Sequence, residues 1–264
     1  IIVAWESGGN IRRRAIAGSY KSGRRPTSLN RYYEDDIPAT TSNHTMQVSL
    51  LVKALSNLPI TQVYVKDCEA DDVIGYLVRY PLRKEQTIVV SSDRDLYQLI
   101  NENNVQYSPG QKKIIDQDEV VLKYGIHPTN FVTARCFTGD SSDDVTGVRG
   151  AGFKNMARWF PFLAEDKFYS CDEVVTHANE LTKTNKGKTI RNISEAASLA
   201  QTNWRLMHLD TDNLAATQIQ KITGQLENVG VSDKMTLLRM MSQHGMRSFD
   251  INRHFAAINA VRYR

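Results

Sequence analysis

Three cysteines, Cys68, Cys136 and Cys171, are too scattered and odd in number for a disulfide framework. None forms a CxxC pair of the zinc type, and the six histidines show no ligand spacing. A reducing, cytosolic setting is expected. No apolar run approaches the ~20 residues that would span a bilayer. No charged–apolar–small start marks a signal peptide. These absences argue against a disulfide-stapled, a zinc-thiolate and a membrane-embedded protein.

The 264 residues suffice for one large domain, or one domain with a subdomain, and for a substantial core. The net charge of +4 says less than its distribution. Between residues 12 and 31 stand Arg12, Arg13, Arg14, Lys21, Arg24, Arg25 and Arg31 without one acid. Tyr20, Tyr32 and Tyr33 lie in or beside the run. Cations neutralise phosphates and aromatic faces stack on bases. A solvated loop is the plain alternative.

Apolar spacing predicts alternating strands and helices. Ile1–Trp5 reads as a buried strand, and the basic stretch to about Thr41 as a loop or arch. Met46 to Leu58 recur at helical spacing up to Pro59. Strands are expected at Thr61–Lys66 and Thr87–Val90, helices at 69–80 and 95–100, and paired short strands at 105–107 and 113–115. The second half is helical in pattern, with a possible strand at Leu206–Leu209. Alternation of this kind predicts a parallel α/β sheet with its ligand site beyond the strand ends.

Carboxylates gather at those ends. Glu6 follows the first strand, Glu69, Asp71 and Asp72 open a helix, and Asp93 and Asp95 follow TIVV. Asp140, Asp143 and Asp144 occupy a Gly/Ser-rich turn. Acids suit helix starts and turns without any further role. Their coexistence at the strand ends points instead to a shared site for hard cations, Mg²⁺ or Mn²⁺. Two such ions can activate a water and stabilise a leaving oxygen in phosphodiester cleavage. The GxxGxG segment Gly147–Gly152 lies between predicted helices at 129–137 and 153–160. There its backbone N–H groups can meet a phosphate, with Lys154 adding charge.

Together, EADD, VVSSDRDLYQLI and FTGDSSDDVTGVRGAGFK resemble the 5′-nuclease superfamily of flap endonucleases and 5′–3′ exonucleases. The resemblance is nearest to the bacteriophage enzymes and the 5′-nuclease domain of bacterial DNA polymerase I. It extends from Ile1 to about Phe160. Tyr20-Lys21 with Arg24 resembles the family's YKxxR element, and NWRLMHLDTD at 203–212 a later family segment.

The resemblance implies an α/β, PIN-like core with a mainly parallel sheet over residues 1–138, including an arch at about 12–43. Residues 139–264 would supply a helix–three-turn–helix (helix-hairpin-helix) region and C-terminal helices. It implies Mg²⁺-dependent cleavage of DNA bearing a 5′ flap, 5′ end or branch, in the cytoplasm of a bacterial or phage-infected cell. Glu6, Glu69, Asp71, Asp72, Asp93, Asp95, Asp140 and Asp143 would hold metal. Lys21 would contact the scissile phosphate and Arg24 steady it. Arg12, Arg13, Tyr20, Arg25, Arg135 and Lys154 would face DNA. Gly147, Gly150 and Gly152 would grip duplex phosphate, with K⁺ as a possible companion ion.

Four departures from the family stand out. The chain opens at what resembles a later strand, so the first strand and its aspartate ligand are missing, and a truncated or separately completed protein is expected. Glu6 replaces an aspartate, Asp144 an asparagine, and Ala151 a larger aliphatic residue. Two other functions fit less of the sequence. One is a DNA-binding relative without chemistry. The other is a PIN-type ribonuclease, against which the glycine hairpin counts.

Overall fold

A computed structural model describes residues 1–7, 9, 11–22, 41–245 and 250–262. In chain order its elements are β1 (Ile2–Trp5), α1 (Ile11–Ile16), α2 (Thr41–Leu55), β2 (Thr61–Tyr64), α3 (Ala70–Arg79), β3 (Thr87–Val90), β4 (Asn104–Ser108), β5 (Lys113–Ile115) and α4 (Gln117–Tyr124). There follow α5 (Phe131–Thr138), α6 (Phe153–Trp159), α7 (Cys171–Thr182), α8 (Lys188–Ser194), α9 (Ala197–Met207), α10 (Ala216–Leu226), α11 (Lys234–Gln243) and α12 (Ile251–Arg262). No helix among the described residues is long and apolar enough to cross a membrane.

The chain gathers into two compact units. The first comprises residues 1–7, 25–66 and 216–264. In it β1 and β2 pair in parallel, Ile2 opposite Thr61 and Trp5 opposite Tyr64. The Gln225 amide of α10 bonds both backbone groups of Tyr64, accepting from its N–H at 3.0 Å and donating to its carbonyl at 3.2 Å. Those bonds satisfy a residue at the end of β2, where the ladder stops. A small apolar cluster joins Leu237, Met241, Ile251 and Phe255 to Ala54 and Leu58.

The second unit comprises residues 8–24 and 67–215. Its sheet runs β3–β4–β5, parallel then antiparallel. The helix α5 is buried from Phe131 through Phe137, and the main core forms around it. All-round burial leaves its two polar side chains, Thr133 and Arg135, to find partners inside the protein, Thr133 on the Tyr169 carbonyl and Arg135 on the Asp95 carboxylate. In α3, Val73, Leu77 and Val78 face inward. A Cβ on Gly75 would lie 3.0 Å from that of Leu209, so glycine is what lets α3 approach the 209 backbone.

Two expectations change. Residues 11–16 form a helix where a loop was expected. Residues 206 and 207 end α9 rather than starting a strand, because Leu206 and Met207 pack into the core from its last turn. The alternation and the pairing of 105–107 with 113–115 hold.

Candidate active site

The second unit assembles seven of the eight predicted acids; Glu6, exposed after β1, belongs to the first. Two internal arginines hold four of the seven, Arg13 taking Glu69 and Asp72 and Arg135 taking Asp95 and Asp140.

The first group lies at the start of α3. Arg13 of α1 is 1% exposed. Its Nη1 and Nη2 reach the two oxygens of Asp72, each at 2.7 Å. Nη1 also donates to Glu69 Oε2 at 2.9 Å, and Nε to the Leu206 carbonyl at 2.6 Å. Asp72 further accepts the Glu69 N–H at 3.3 Å, which caps α3. Burial works against the charge on Arg13, but Asp72 and Glu69 outweigh it and hold the guanidinium more firmly protonated than usual. Arg13 therefore does not face DNA, as its place in a basic run suggested, because its donors are spent on buried acids. Both oxygens of Asp72 are held by this one guanidinium, whereas Glu69 gives it only Oε2.

Glu69 has a second set of partners. Tyr20 Oη donates to its Oε2 at 3.2 Å, and Lys21 Nζ lies 2.7 Å from its Oε1. Lys21 Nζ is also 3.6 Å from Asp143 Oδ2. The lysine backbone sits at φ 55 and donates its N–H to the Asp143 carbonyl at 3.1 Å. A non-glycine residue in that region is uncommon and is held there by its surroundings. Tyr20 is 5% exposed, so its ring packs in the core instead of facing DNA. Arg24 and Arg25 lie outside the described residues, as do Arg31, Tyr32 and Tyr33.

The second group joins Asp95, Asp140 and Asp143, whose carboxylate oxygens lie within 4.8 Å of one another. Arg135 of α5, 5% exposed, donates from Nε to Asp95 at 2.8 Å, from Nη1 to the Gly139 carbonyl at 2.9 Å, and from Nη2 to Asp140. It too was expected to contact DNA and is instead an internal brace. Ser142 donates its hydroxyl to Asp140 at 2.6 Å. Although burial opposes it, the Ser142 bonds and the Arg135 charge hold the Asp140 carboxyl below its usual range. Asp95 is pushed up to about 6 by burial and by its acidic neighbours Asp93 and Asp140, with Arg135 resisting. Burial and Asp93 push Asp71 up to about 7, against the pull of Lys21. Hard oxygen donors that raise one another's proton affinity suit a divalent cation.

Asp93 accepts the Asp95 N–H at 2.9 Å, closing a turn before the short 3₁₀ helix Asp95–Leu99. The buried Gln106 of β4 holds that turn by donating to the Ser91 and Asp93 carbonyls, each at 2.8 Å.

The hairpin follows directly. Asp140 and Val145 bridge, and the Val148 N–H reaches the Phe137 carbonyl at 2.7 Å. A Cβ on Gly147 would fall 2.2 Å from the Thr138 carbonyl oxygen, and Gly150 has φ 90, so both positions require glycine. Gly152 caps α6, and a Cβ there would meet nothing within 4 Å. Gly152 and Lys154 are exposed. A cavity of about 630 Å³ is lined by Arg94, Arg135, Asp140, Asp144 and Gly147, linking hairpin and acids.

Known proteins resemble the chain in sequence and fold. Residues 1–125 match the family model of the 5′-3′ exonuclease N-terminal, resolvase-like domain. Over 156 residues the chain is 33% identical to a 5′-3′ exonuclease of Buchnera aphidicola (subsp. Schizaphis graminum), covering 58% of this chain and 50% of that one. Over 159 residues it is 30% identical to the thermostable DNA polymerase I of Thermus filiformis, covering 60% of this chain and 17% of the polymerase. The chain thus spans about half the length of the exonuclease it matches, and less of the polymerase. The metal-ion co-crystal of the bacteriophage T5 D15 protein matches with a TM-score of 0.65 at 20% identity, covering 86% of this chain and 83% of that one. The T5 flap endonuclease complexed with DNA and metal ions matches equally, over 86% and 82%. At such identity these structures speak for the fold, an α/β, PIN-like one. Residues 1–125 are thus similar in sequence to the 5′-3′ exonuclease N-terminal domain, and the chain shares the fold of the T5 enzymes.

Proposed function

We propose that the chain is a metal-dependent, structure-specific 5′ nuclease that hydrolyses phosphodiesters of branched or 5′-ended DNA. The observation that carries this reading is the convergence of Asp95, Asp140 and Asp143 within 4.8 Å, beside Lys21 and the acids of α3. The relatives named as 5′-3′ exonucleases and the T5 flap endonuclease support it.

Asp95, Asp140 and Asp143 would hold one divalent ion, with Asp71, Asp93 and Glu69 available for a second; Mg²⁺ or Mn²⁺ fits the all-oxygen donor set. Bound there, such ions would lower the pKa of an attacking water and stabilise the leaving oxygen. Lys21, now paired with Glu69 and Asp143, would turn its ammonium to the scissile phosphate as charge develops. Arg24 would assist it. Arg135 and Arg13 keep the carboxylates in place from behind. The hairpin, open at Gly152 and flanked by Lys154, would hold duplex phosphate without reading sequence. A K⁺ ion at the hairpin is part of the proposal, and it would share the Arg149 and Gly150 carbonyls with Asn192 and Asn155.

The test is cleavage of a labelled 5′-flap duplex by this chain, with Mg²⁺ and with EDTA, alongside Asp140→Asn. We expect metal-dependent cutting near the junction, and a loss in the variant beyond the roughly 10–100-fold that removal of an outer-shell partner costs. Tight binding without cutting would favour a DNA-binding relative without chemistry. Matched RNA cut in preference would favour a ribonuclease.

A further inference from the structure

The reaction above leaves one surface of the second unit unused. The Arg13 bond to the Leu206 carbonyl ties α1 to α9. From that junction Arg13 turns inward to the acids. Its neighbour Arg12 is exposed and donates to the Asp212 carbonyl at 2.9 Å. Arg12 and Arg205 line a groove of about 750 Å³. Trp204 and His208 line that groove and also an adjoining cavity of about 290 Å³, to which Arg79 and Phe168 contribute.

The rings there are ordered. Trp204 and His208, one helical turn apart, stack with centroids 4.3 Å apart and planes 20° apart. Phe168 meets Trp204 edge-on at 5.7 Å and is 49% exposed. Burial and the nearby Arg79 charge push His208 down to about 4, so its ring offers a neutral face at pH 7. Core packing accounts for the buried part of Trp204. It accounts neither for the exposure of Phe168 nor for three arginines around one aromatic stack. Asp212 is the one acid among the lining residues of the two hollows. A peptide could use the rings but would have little use for the cations. Single-stranded nucleic acid uses both, bases on rings and phosphates on guanidinium groups.

We propose that Trp204, His208 and Phe168, with Arg12, Arg79 and Arg205, form a base-stacking subsite for single-stranded DNA. The proposal rests on the nuclease reading, and the strand it would hold is the unpaired part of that substrate. Arg13 of α1 joins the two places, bonding the Leu206 carbonyl of α9 and the Asp72 carboxylate.

Trp5→Phe and Trp159→Phe in the full chain leave Trp204 as the fluorescent reporter. It is titrated in EDTA with oligo(dT) of about twelve nucleotides. We expect quenching, weaker binding as salt rises, and an affinity reduced about tenfold, about 1.4 kcal/mol, by Phe168→Ala and by Arg205→Glu. Absence of quenching would overturn the subsite. So would equal affinity in both variants with unchanged circular dichroism. Quenching by an apolar peptide but not by oligo(dT) would also overturn it. Cleavage of the flap without quenching would sink the subsite alone. Quenching by oligo(dT) without any cleavage would keep the subsite and sink the nuclease reading.

Discussion

The two acid groups of the second unit are built from the same residue types and treat charge differently. At α3, Arg13 takes both oxygens of Asp72 and one of Glu69, a closed pairing almost without exposure. Around Asp140, Arg135 takes one oxygen of Asp95 and one of Asp140, and three carboxylates still converge. Carboxylate number alone does not define a metal site. What matters is how much negative charge remains after the protein's own cations are counted.

Removing Arg13 breaks this contrast most severely. Arg13→Met would strand Asp72 and Glu69 as buried charges, and we expect a loss of about 3–5 kcal/mol in denaturant unfolding. A loss below about 1 kcal/mol would mean that the pair behaves like an exposed one. Arg135→Gln should act differently. The open group loses its brace rather than its last counter-charge, so activity should fall roughly 10–100-fold through weaker metal binding, with a smaller stability change. A metal titration followed by activity separates the two effects, since excess metal should restore part of the rate.

The smallest effect lies in pH. Asp71 titrates at about 7 and Asp95 at about 6, against an ordinary 3.8. Folding therefore binds protons, and without metal these groups favour the folded state below about pH 4 and lose that contribution as pH rises through 7. A divalent ion displaces those protons. Its stabilisation should be larger at about pH 8 than at about pH 5. Equal shifts in melting temperature at both would contradict the assignment of these acids to the site.

Much of this was legible in the chain. Apolar alternation gave the strands and helices, and the spacing of EADD, SSDRD and GDSSDD marked the acids that converge. The hairpin was legible because Gly147 and Gly150 have backbone reasons to be glycine. The roles of Arg13 and Arg135 were not. Three consecutive arginines read as a solvated surface, and the partner that buries the middle one lies 59 residues away. No local pattern announces a contact of that span. The same holds for the Trp204–His208 stack, whose helical spacing alone reads as packing.

The helix α3 bears Asp71 and Asp72 in its first turn and Arg79 in its last. Seven to eight residues fix that separation at about 11–12 Å. It is a ruler whose graduations are peptide units, pinned by Gly75 against Leu209. Exchanging side chains does not change its length. Inserting one residue would advance Arg79 by about 1.5 Å and swing it about 100° around the axis. The interval between the acids and the stacking surface is thus written in chain length, and only insertion or deletion can edit it.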